Sequence, residues 1–336
     1  MALVSSNMNI YITLDYELYF GTKVGSAEKC MLFPTNRLIE IAKKHKVCFT
    51  FFVDAGYLVK LKQLKGKFKQ LENDYASVTH QIKNLVALGH DVQLHVHPHW
   101  EDAYYNGSEW SMDVSRYKIS DFSDEEAEQI ILKYADELLQ VTQKPLHTFR
   151  AGGWCIQPFA KFRNALSKIG VKIDSTVYKG GKQVLANYNY DFTNCPDMHE
   201  WRFSNDVTVE DKNGDFLELP IYSEKIAPFF FWKLFLLGRL NPKEHKSIGD
   251  GYSISVKGYR KKMLTQFTLN CANIEGYFAS LLEKQSENAE KKGVANMVVI
   301  GHPKALTHYS LKKLDEYLQN NIRKYNFTTF SQQFFK

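Results

Sequence analysis

Polar side chains that could do chemistry follow four apolar segments of this sequence, where strands are predicted to end. The acidic pair Asp15 and Glu17 follows NIYITL, and the motif HVHPHW (residues 95–100) follows DVQL. Arg150 comes after HTF, and His302 comes after MVVIG. In barrels of alternating strands and helices, the active site lies where the strands run out into loops. The sequence therefore predicts a site that combines carboxylate, imidazole and guanidinium groups.

The two carboxylates, Asp15 and Glu17, are two residues apart. On an extended segment they share a face, because side chains alternate along a strand. One carboxylate could then bind a metal ion while the other acts as a base. An exposed acidic turn is the alternative interpretation of the pair alone.

The HVHPHW motif is the most specific local signal, because imidazole is the commonest ligand in metal sites of mixed nitrogen and oxygen donors. His95 and His99 are four residues apart, and one turn of chain would bring them to one side. Pro98 restricts His97 to an extended conformation. His95 and His97 share a face if the segment stays extended, so the pair that binds stays open.

The other two strand ends carry one polar side chain each. Arg150 is followed by Gly152 and Gly153, and glycines at such a point suggest a close approach of the backbone to a ligand. A surface salt bridge is the alternative interpretation of Arg150. His302, between a glycine and a proline, is a candidate general acid.

The elements that must position these residues alternate along the chain, which predicts parallel strands covered by helices in an α/β fold. We expect one domain over residues 1–336, with insertions near 56–74, 100–122 and 179–213. Periodicity predicts strands at 9–14, 48–53, 91–96, 148–150, 171–177, 216–221 and 297–300, helices at 35–45, 78–88, 124–143, 158–169, 259–284 and 310–325, and a short segment at 327–330.

Composition limits the possible partners and compartments. The net charge of +6 is mild and no dense block of Lys and Arg occurs, so no nucleic-acid partner is expected. The five widely spaced cysteines predict reduced thiols. The first residues do not resemble a signal peptide, and no apolar stretch is long enough to span a membrane. We therefore expect a cytoplasmic protein.

The motifs together resemble the NodB-like polysaccharide deacetylases of carbohydrate esterase family 4, over Asn9 to about Phe330. The family's strand ending in Thr-Phe-Asp-Asp is similar to residues 13–17, and its Gly-His-Glu and His-Thr-x-x-His to residues 89–99. Its Arg-x-Pro-x-Gly is similar to residues 150–154, and its apolar strand ending in His to residues 298–302. This chain departs from the pattern at Tyr16, where a second Asp is usual, and at Gly152, where a Pro is usual.

The resemblance implies a distorted (β/α) barrel and a hydrolase that uses one divalent metal ion, usually zinc. It implies Asp15 as general base, His302 as general acid, Arg150 as the residue that orients Asp15, Glu17, His95 and His99 as metal ligands, the Gly153 N–H as oxyanion donor, Asp174 as a partner of His302, and His97 as a supporting residue.

The substrate implied is an acylated amino sugar or a polysaccharide precursor. Trp100, Trp110, Trp154 and Trp201 could supply stacking faces for a sugar, or belong to the core. Residues 226–240 would suit a helix lying on a membrane surface at the inner face, although a buried helix is favoured. A lipid-linked amino sugar becomes a candidate substrate if the membrane interpretation holds.

Two other functions compete with a metal-dependent deacetylase (or deformylase). One is a carbohydrate-binding relative that keeps the barrel but lost turnover. The other is a metal-dependent phosphodiesterase, which the absence of a second carboxylate-rich cluster disfavours. The sequence lacks a G-x-S-x-G motif, a P-loop and a G-x-G-x-x-G motif, which removes support for serine hydrolases and nucleotide-binding proteins.

Overall fold

The apolar runs of the sequence form the strands of the computed structural model, which describes residues 7–185, 187–254 and 258–335. The central strands are buried along their whole length, as expected of parallel strands covered on both faces. The strands are β1 (Asn9–Tyr16), β2 (Thr50–Asp54), β3 (Asp91–Val96), β4 (Tyr104–Tyr105), β5 (Trp110–Ser111), β6 (Thr148–Ala151), β7 (Ile173–Asp174), β8 (Lys182–Val184), β9 (Asn189–Asp191), β10 (Trp201–Phe203), β11 (Phe216–Glu218), β12 (Ser223–Ile226), β13 (Thr268–Cys271), β14 (Asn296–Val299) and β15 (Asn326–Phe327).

Helices begin where the sequence offers caps and an apolar stripe. The 124–142 helix starts at a capping box in which Ser123 accepts from the backbone N–H of Glu126 and the Glu126 carboxylate accepts in return. The helices are α1 (Phe33–His45), α2 (Ala55–Leu64), α3 (Lys69–Ala87), α4 (Asp124–Thr142), α5 (Ala160–Lys168), α6 (Pro228–Leu240), α7 (Pro242–His245), α8 (Tyr259–Thr265), α9 (Leu282–Lys291), α10 (His308–Asn321) and α11 (Phe330–Phe334).

The chain divides into two compact units, and the first comprises the residues up to Leu14, Leu18–Phe49 and Ile221–Thr328. In this unit β1 pairs in parallel with β14 and with β15, so that Asn9 lies opposite both Asn296 and Asn326. The strands β12 and β13 form an antiparallel pair.

The second unit comprises Asp15–Glu17, Thr50–Pro220 and the residues from Thr329 onward. Its strands β2, β3, β6, β7 and β11 are parallel in that order, and β10 adds an antiparallel edge. The register places Asp54, His95 and Arg150 side by side across β2, β3 and β6. The predicted α/β class is confirmed, whereas the single domain over 1–336 stays a prediction.

Two of the predicted elements differ in the structure. The helix predicted over 259–284 is wrong, because Thr268–Cys271 forms β13 beside β12 and separates α8 from α9. Residues 56–74, predicted as an insertion, form α2 and the start of α3, and α2 is largely buried. Short hairpins occupy parts of the other two predicted insertions, and residue 186 of the third lies outside the described residues.

The apolar segment 226–240 comprises the last residue of β12 and the helix α6. The prediction that it forms a buried helix is wrong. In α6 only Phe231 is buried, while most of its other apolar side chains reach the surface. No helix among the described residues is long and apolar enough to cross a membrane. The five cysteines, all within the described residues, form no disulfide bond in the structure, and their predicted reduced state stays a prediction.

Candidate metal and hydrolase site

Three buried side chains of the second unit bring metal-ligand atoms together. Glu17 Oε2 lies 2.6 Å from His97 Nε2 and 3.1 Å from His95 Nε2, and the three donor atoms lie within 4.8 Å of one another. Two imidazole nitrogens and one carboxylate oxygen match the donor set of catalytic zinc sites. The residues present therefore fit a divalent ion of this type.

The second imidazole of this cluster belongs to His97, whereas the motif comparison implied His99, and the ligand set itself stays a prediction. The backbone at His97 is still extended, and the 3₁₀ turn at Pro98–Glu101 starts only at the next residue. His95 and His97 thus share a face, whereas the turn carries the His99 ring onto Tyr117, where the rings stack at 4.9 Å. Among the described residues, the donor cluster contains His97 and not His99.

Gly152 leaves the space that the His97 ring fills. A Cβ atom at this glycine would lie 2.5 Å from His97 Nδ1. The neighbouring Gly153 has φ +57°, in the left-handed region that favours glycine. Gly152 therefore accommodates an imidazole of the cluster, whereas a Cβ atom at Gly153 would lie 2.5 Å from the Tyr117 hydroxyl oxygen.

Arg150 is 1% exposed, and it holds Asp15 in place. Its Nη1 donates to Asp15 Oδ1 at 2.6 Å, while its Nε donates to the backbone oxygen of Ser175 at 2.7 Å. The guanidinium also lies over the Phe52 ring, 4.2 Å from the centroid. These three contacts fix Arg150, which can therefore set the orientation of the Asp15 carboxylate. Because Arg150 is buried, the alternative interpretation of it as part of a surface salt bridge is excluded.

His95 connects the carboxylates to the strand behind them. Its Nδ1 is 2.8 Å from the backbone oxygen of Arg150, and its Nε2 is 3.9 Å from Asp15 Oδ2. Burial acts to lower the pKa of His95, but the nearby Asp15 and Glu17 carboxylates outweigh it and raise that pKa. The cluster therefore favours positive charge at this point.

Asp54 is a carboxylate of the site that the sequence interpretation missed. It ends β2, is fully buried, and accepts from the indole Nε1 of Trp100 at 2.5 Å. Trp100 is itself fully buried, so the indole predicted as a sugar contact packs in the core instead. The other candidate residues were recognised as polar residues that directly follow an apolar run. The same criterion, applied to CFTFFV, would have identified Asp54.

Asp174 lies at the end of β7, and its predicted pairing with His302 stays a prediction. Its two carboxylate oxygens accept from the N–H and the hydroxyl of Thr176, at 3.1 and 2.7 Å. The Thr176 hydroxyl in turn accepts from the N–H of Ala151. Burial raises the pKa of Asp174, and burial together with Asp174 raises the pKa of the neighbouring Glu218. Asp174 thus supports the end of β6.

His302 lies in the first unit, and Glu275 is its carboxylate partner. The Glu275 Oε1 atom is 2.5 Å from His302 Nδ1. The sequence interpretation missed Glu275, because it follows no recognisable apolar strand. The structure places it just after Asn273, which forms an isolated bridge with Ile300.

The remaining predicted tryptophans divide between surface and core. Trp110 and Trp201 are buried, at 8% and 2% exposure. Trp154 is half-buried and lies against Tyr178 and Tyr190, with ring centroids 5.4 and 5.8 Å away. Of the four indoles, Trp154 is the one suited to contact a sugar.

Comparison with known proteins gives matches in structure alone. No family model and no curated protein sequence matches the chain. Proteins assigned as polysaccharide deacetylases from Mycobacterium smegmatis and Pseudomonas aeruginosa PAO1 each have a TM-score of 0.52, at 14% and 11% identity. They cover 98% and 97% of this chain, and 89% of each of those chains is covered in return. Puue allantoinase has a TM-score of 0.51 at 10% identity, with 97% and 89% covered.

At these identities the likeness establishes the fold. The chain has the fold of the NodB-type deacetylase structures, as its motifs predicted. Because one fold carries many activities, the function has to be argued from the site.

Proposed function

We propose that this protein is a metal-dependent hydrolase that removes an N-acyl group from an acylated amino sugar or polysaccharide precursor. The observation that carries the proposal is the buried Glu17–His95–His97 cluster beside an Asp15 held by Arg150. Its place at the carboxyl ends of parallel strands is where barrels of this kind hold their active sites.

Glu17, His95 and His97 would hold the ion, with zinc as the preferred candidate for two imidazoles and a carboxylate. A bound ion of this kind polarises a carbonyl group and lowers the pKa of a coordinated water. His99 remains the alternative third ligand that the motif comparison implies.

Asp15 is the proposed general base. Its Oδ1 accepts from Arg150 and its Oδ2 lies 3.9 Å from His95 Nε2, so the carboxylate is held beside the cluster in a fixed orientation from which it could accept a proton. A base held in this way needs no reorientation during the reaction, and fixed orientation of the reacting groups contributes to the rate.

His302 is the proposed general acid, and Glu275 is the carboxylate that lies beside its Nδ1 atom. When Nδ1 donates to Glu275, the carboxylate stabilises the imidazolium, and Nε2–H is then the proton available to a leaving amine. This role of His302, like that of the Gly153 N–H as oxyanion donor, stays a prediction.

An amino sugar is the proposed substrate class because aromatic rings surround the turn after β6. Trp154, Tyr178 and Tyr188 are all partly exposed, and such rings suit the apolar face of a sugar. The deacetylase assignment of two proteins that share the fold supports the same class.

The test combines metal content with product release. We expect the wild-type protein to bind about one divalent ion and to release acetate from N-acetylated amino-sugar oligomers. Asp15→Asn should retain the ion but lose about 10²–10⁴-fold in kcat, the usual contribution of a general base. Elemental mass spectrometry and an acetate assay measure the two quantities.

Asp215→Asn, at an exposed carboxylate, is the matched control and should change neither quantity. A metal-loaded wild type that binds the oligomers without releasing an acyl group would favour the carbohydrate-binding relative. Wild type that takes up no ion after reconstitution would overturn the hydrolase proposal.

A further inference from the structure

The helix α6 presents an apolar face to the surface. Phe229, Trp232, Leu236 and Leu240 are 78%, 58%, 56% and 72% exposed. Their spacing of three, four and four residues places them along one side of the helix. Helices of globular proteins normally turn such a stripe inward, so a continuous exposed stripe indicates a surface that binds something.

Basic residues surround this apolar stripe. Residues 225–262 contain nine Lys and Arg against two acidic residues, whereas the rest of the chain has 34 basic and 35 acidic residues. The positive charge of the protein is thus concentrated in this segment. The described basic side chains are all exposed: Lys225, Lys233, Arg239, Lys243, Lys246, Arg260, Lys261 and Lys262.

Contacts between α6 and α8 join the charges to the stripe. The indole Nε1 of Trp232 donates to the backbone oxygen of Leu264 at 3.0 Å, and the Arg260 guanidinium lies 4.4 Å from the centroid of the Phe235 ring. Phe267, which follows α8, is 65% exposed. We call the exposed residues of α6, α7 and α8 together with Phe267 the basic-apolar face.

We propose that the basic-apolar face docks onto a lipid bilayer that contains anionic phospholipids. Aromatic and leucine side chains on one side of a helix enter the boundary between headgroups and acyl chains, while long basic side chains reach the lipid phosphates. A local net charge of +7 complements an anionic leaflet. At 13 residues, α6 is suited to lie on the surface.

A cavity behind α6 links this face to the proposed chemistry. Its volume is about 500 Å³, and Phe235, Arg239, Arg260, Tyr277 and Glu275 contribute to its wall. Glu275 is the partner of His302, so docking would place this cavity at the bilayer surface. This last step rests on the proposed function, and it deepens that function towards an amino sugar carried by a lipid.

The test measures sedimentation of the full chain with vesicles of phosphatidylcholine, with and without added phosphatidylglycerol. We expect binding only with phosphatidylglycerol, and weaker binding in high salt. The triple variant Phe229→Ser, Leu236→Ser, Leu240→Ser should lose about 100-fold or more in apparent affinity. The triple variant Lys243→Gln, Lys261→Gln, Lys262→Gln should lose about 100-fold.

Matched controls replace exposed residues of the same kind elsewhere in the chain. They are Val184→Ser, Met198→Ser, Val209→Ser for the apolar set and Lys83→Gln, Lys172→Gln, Lys312→Gln for the basic set. Both controls should bind vesicles like the wild type. Far-ultraviolet circular dichroism and urea midpoints establish that the variants are folded.

Tryptophan fluorescence gives an independent signal at the face. Of the five tryptophans, Trp100, Trp110 and Trp201 are buried and Trp154 is half-buried, whereas Trp232 is 58% exposed. A blue shift on adding vesicles should therefore come from Trp232 and disappear in Trp232→Phe. Binding of the two triple variants at wild-type strength would overturn the proposal. The proposal would also be overturned if the wild type did not bind vesicles and instead formed a dimer that the apolar triple variant dissociates. Acetate release from soluble oligomers tests the proposed function separately.

Discussion

At the residue scale, the candidate site concentrates acidic groups that are out of contact with water. Asp15, Glu17 and Asp54 are each no more than 4% exposed, and Arg150 is the guanidinium that pairs with one of them. Buried carboxylates of like charge repel one another unless a cation balances them. The imidazole of His95 responds by binding its proton more tightly. The same field would favour a divalent ion at the Glu17–His95–His97 cluster.

The choice of third ligand gives a prediction at this scale. Loss of a hydrogen-bond partner of a metal ligand typically weakens metal binding by about 10–100-fold. We expect His97→Ala, which removes a proposed ligand itself, to weaken zinc binding by more than that. We expect His99→Ala to bind zinc nearly as well as wild type, because its ring stacks on Tyr117. Competition with a chromogenic chelator measures both affinities.

Each histidine variant serves as the control for the other, since both rings are buried in the same motif. Loss of zinc in His99→Ala, with zinc retained in His97→Ala, would return the assignment to the one implied by the family motif. Circular dichroism of the apo forms separates loss of the ligand from loss of the fold.

Whether His97 or His99 faces Glu17 could not be read from the sequence. The motif leaves both pairs possible, and the decision depends on where β3 ends and the turn begins. The strand ends at Val96, but the backbone stays extended for one more residue. A turn that began one residue earlier would have rotated His97 away.

At the element scale, the turn after β6 positions a ring that belongs to the loop after β3. We expect Gly152→Ala to weaken zinc binding, because the added methyl group would lie 2.5 Å from His97 Nδ1 and displace that rigid ring. We expect a loss of about 10-fold or more, similar to that for disturbed outer contacts of a metal ligand. The chelator competition assay measures it.

Gly66→Ala is the matched control, because nothing lies within 4 Å of a Cβ there and its side chain would be exposed. It should leave zinc affinity unchanged. Unaltered zinc binding in Gly152→Ala would mean that the His97 ring can move without cost, and would weaken its assignment as a ligand.

The elements themselves were largely predictable where periodicity is local. Asp91–Val96 matches its predicted bounds, and α4 differs by one residue. The helix predicted over 259–284 failed, because pairing of Thr268–Cys271 with β12 is a contact that a local pattern does not show. The exposure of α6 was also missed, since a segment apolar on all sides looks like a core helix.

At the scale of the whole molecule, a buried histidine ties a late segment of the chain to the sheet of the second unit. His147 precedes β6, its Nε2 lies 2.7 Å from Ser331 Oγ, and its ring stacks on Phe335 at 3.9 Å. Burial lowers the pKa of His147, and the charge of Asp91 offsets only part of that effect. The folded chain therefore takes up this proton less readily than the unfolded chain.

We expect His147 to make stability depend on pH. As pH falls through about 6.5, the usual pKa of histidine, the unfolded state binds more protons, so the free energy of unfolding decreases. The urea midpoint should drop more between about pH 7.5 and about pH 5.5 in wild type than in His147→Gln.

The exposed His80→Gln is the control and should follow the wild-type profile. Equal pH slopes for wild type and His147→Gln would show that this proton is not linked to folding. The comparison uses differences between variants, which removes the contribution of other groups that titrate in the same range.

Docking of the apolar stripe on α6 to a bilayer, as proposed above, would have a kinetic consequence. A protein held on a bilayer meets a lipid-carried substrate by lateral diffusion in two dimensions, and its turnover follows the mole fraction of substrate in the surface. Diluting the substrate with inert lipid would then slow the reaction even at constant bulk concentration. A soluble oligomer would show no such surface dilution, so the dependence of rate on lipid composition would distinguish a lipid-carried substrate from a soluble one.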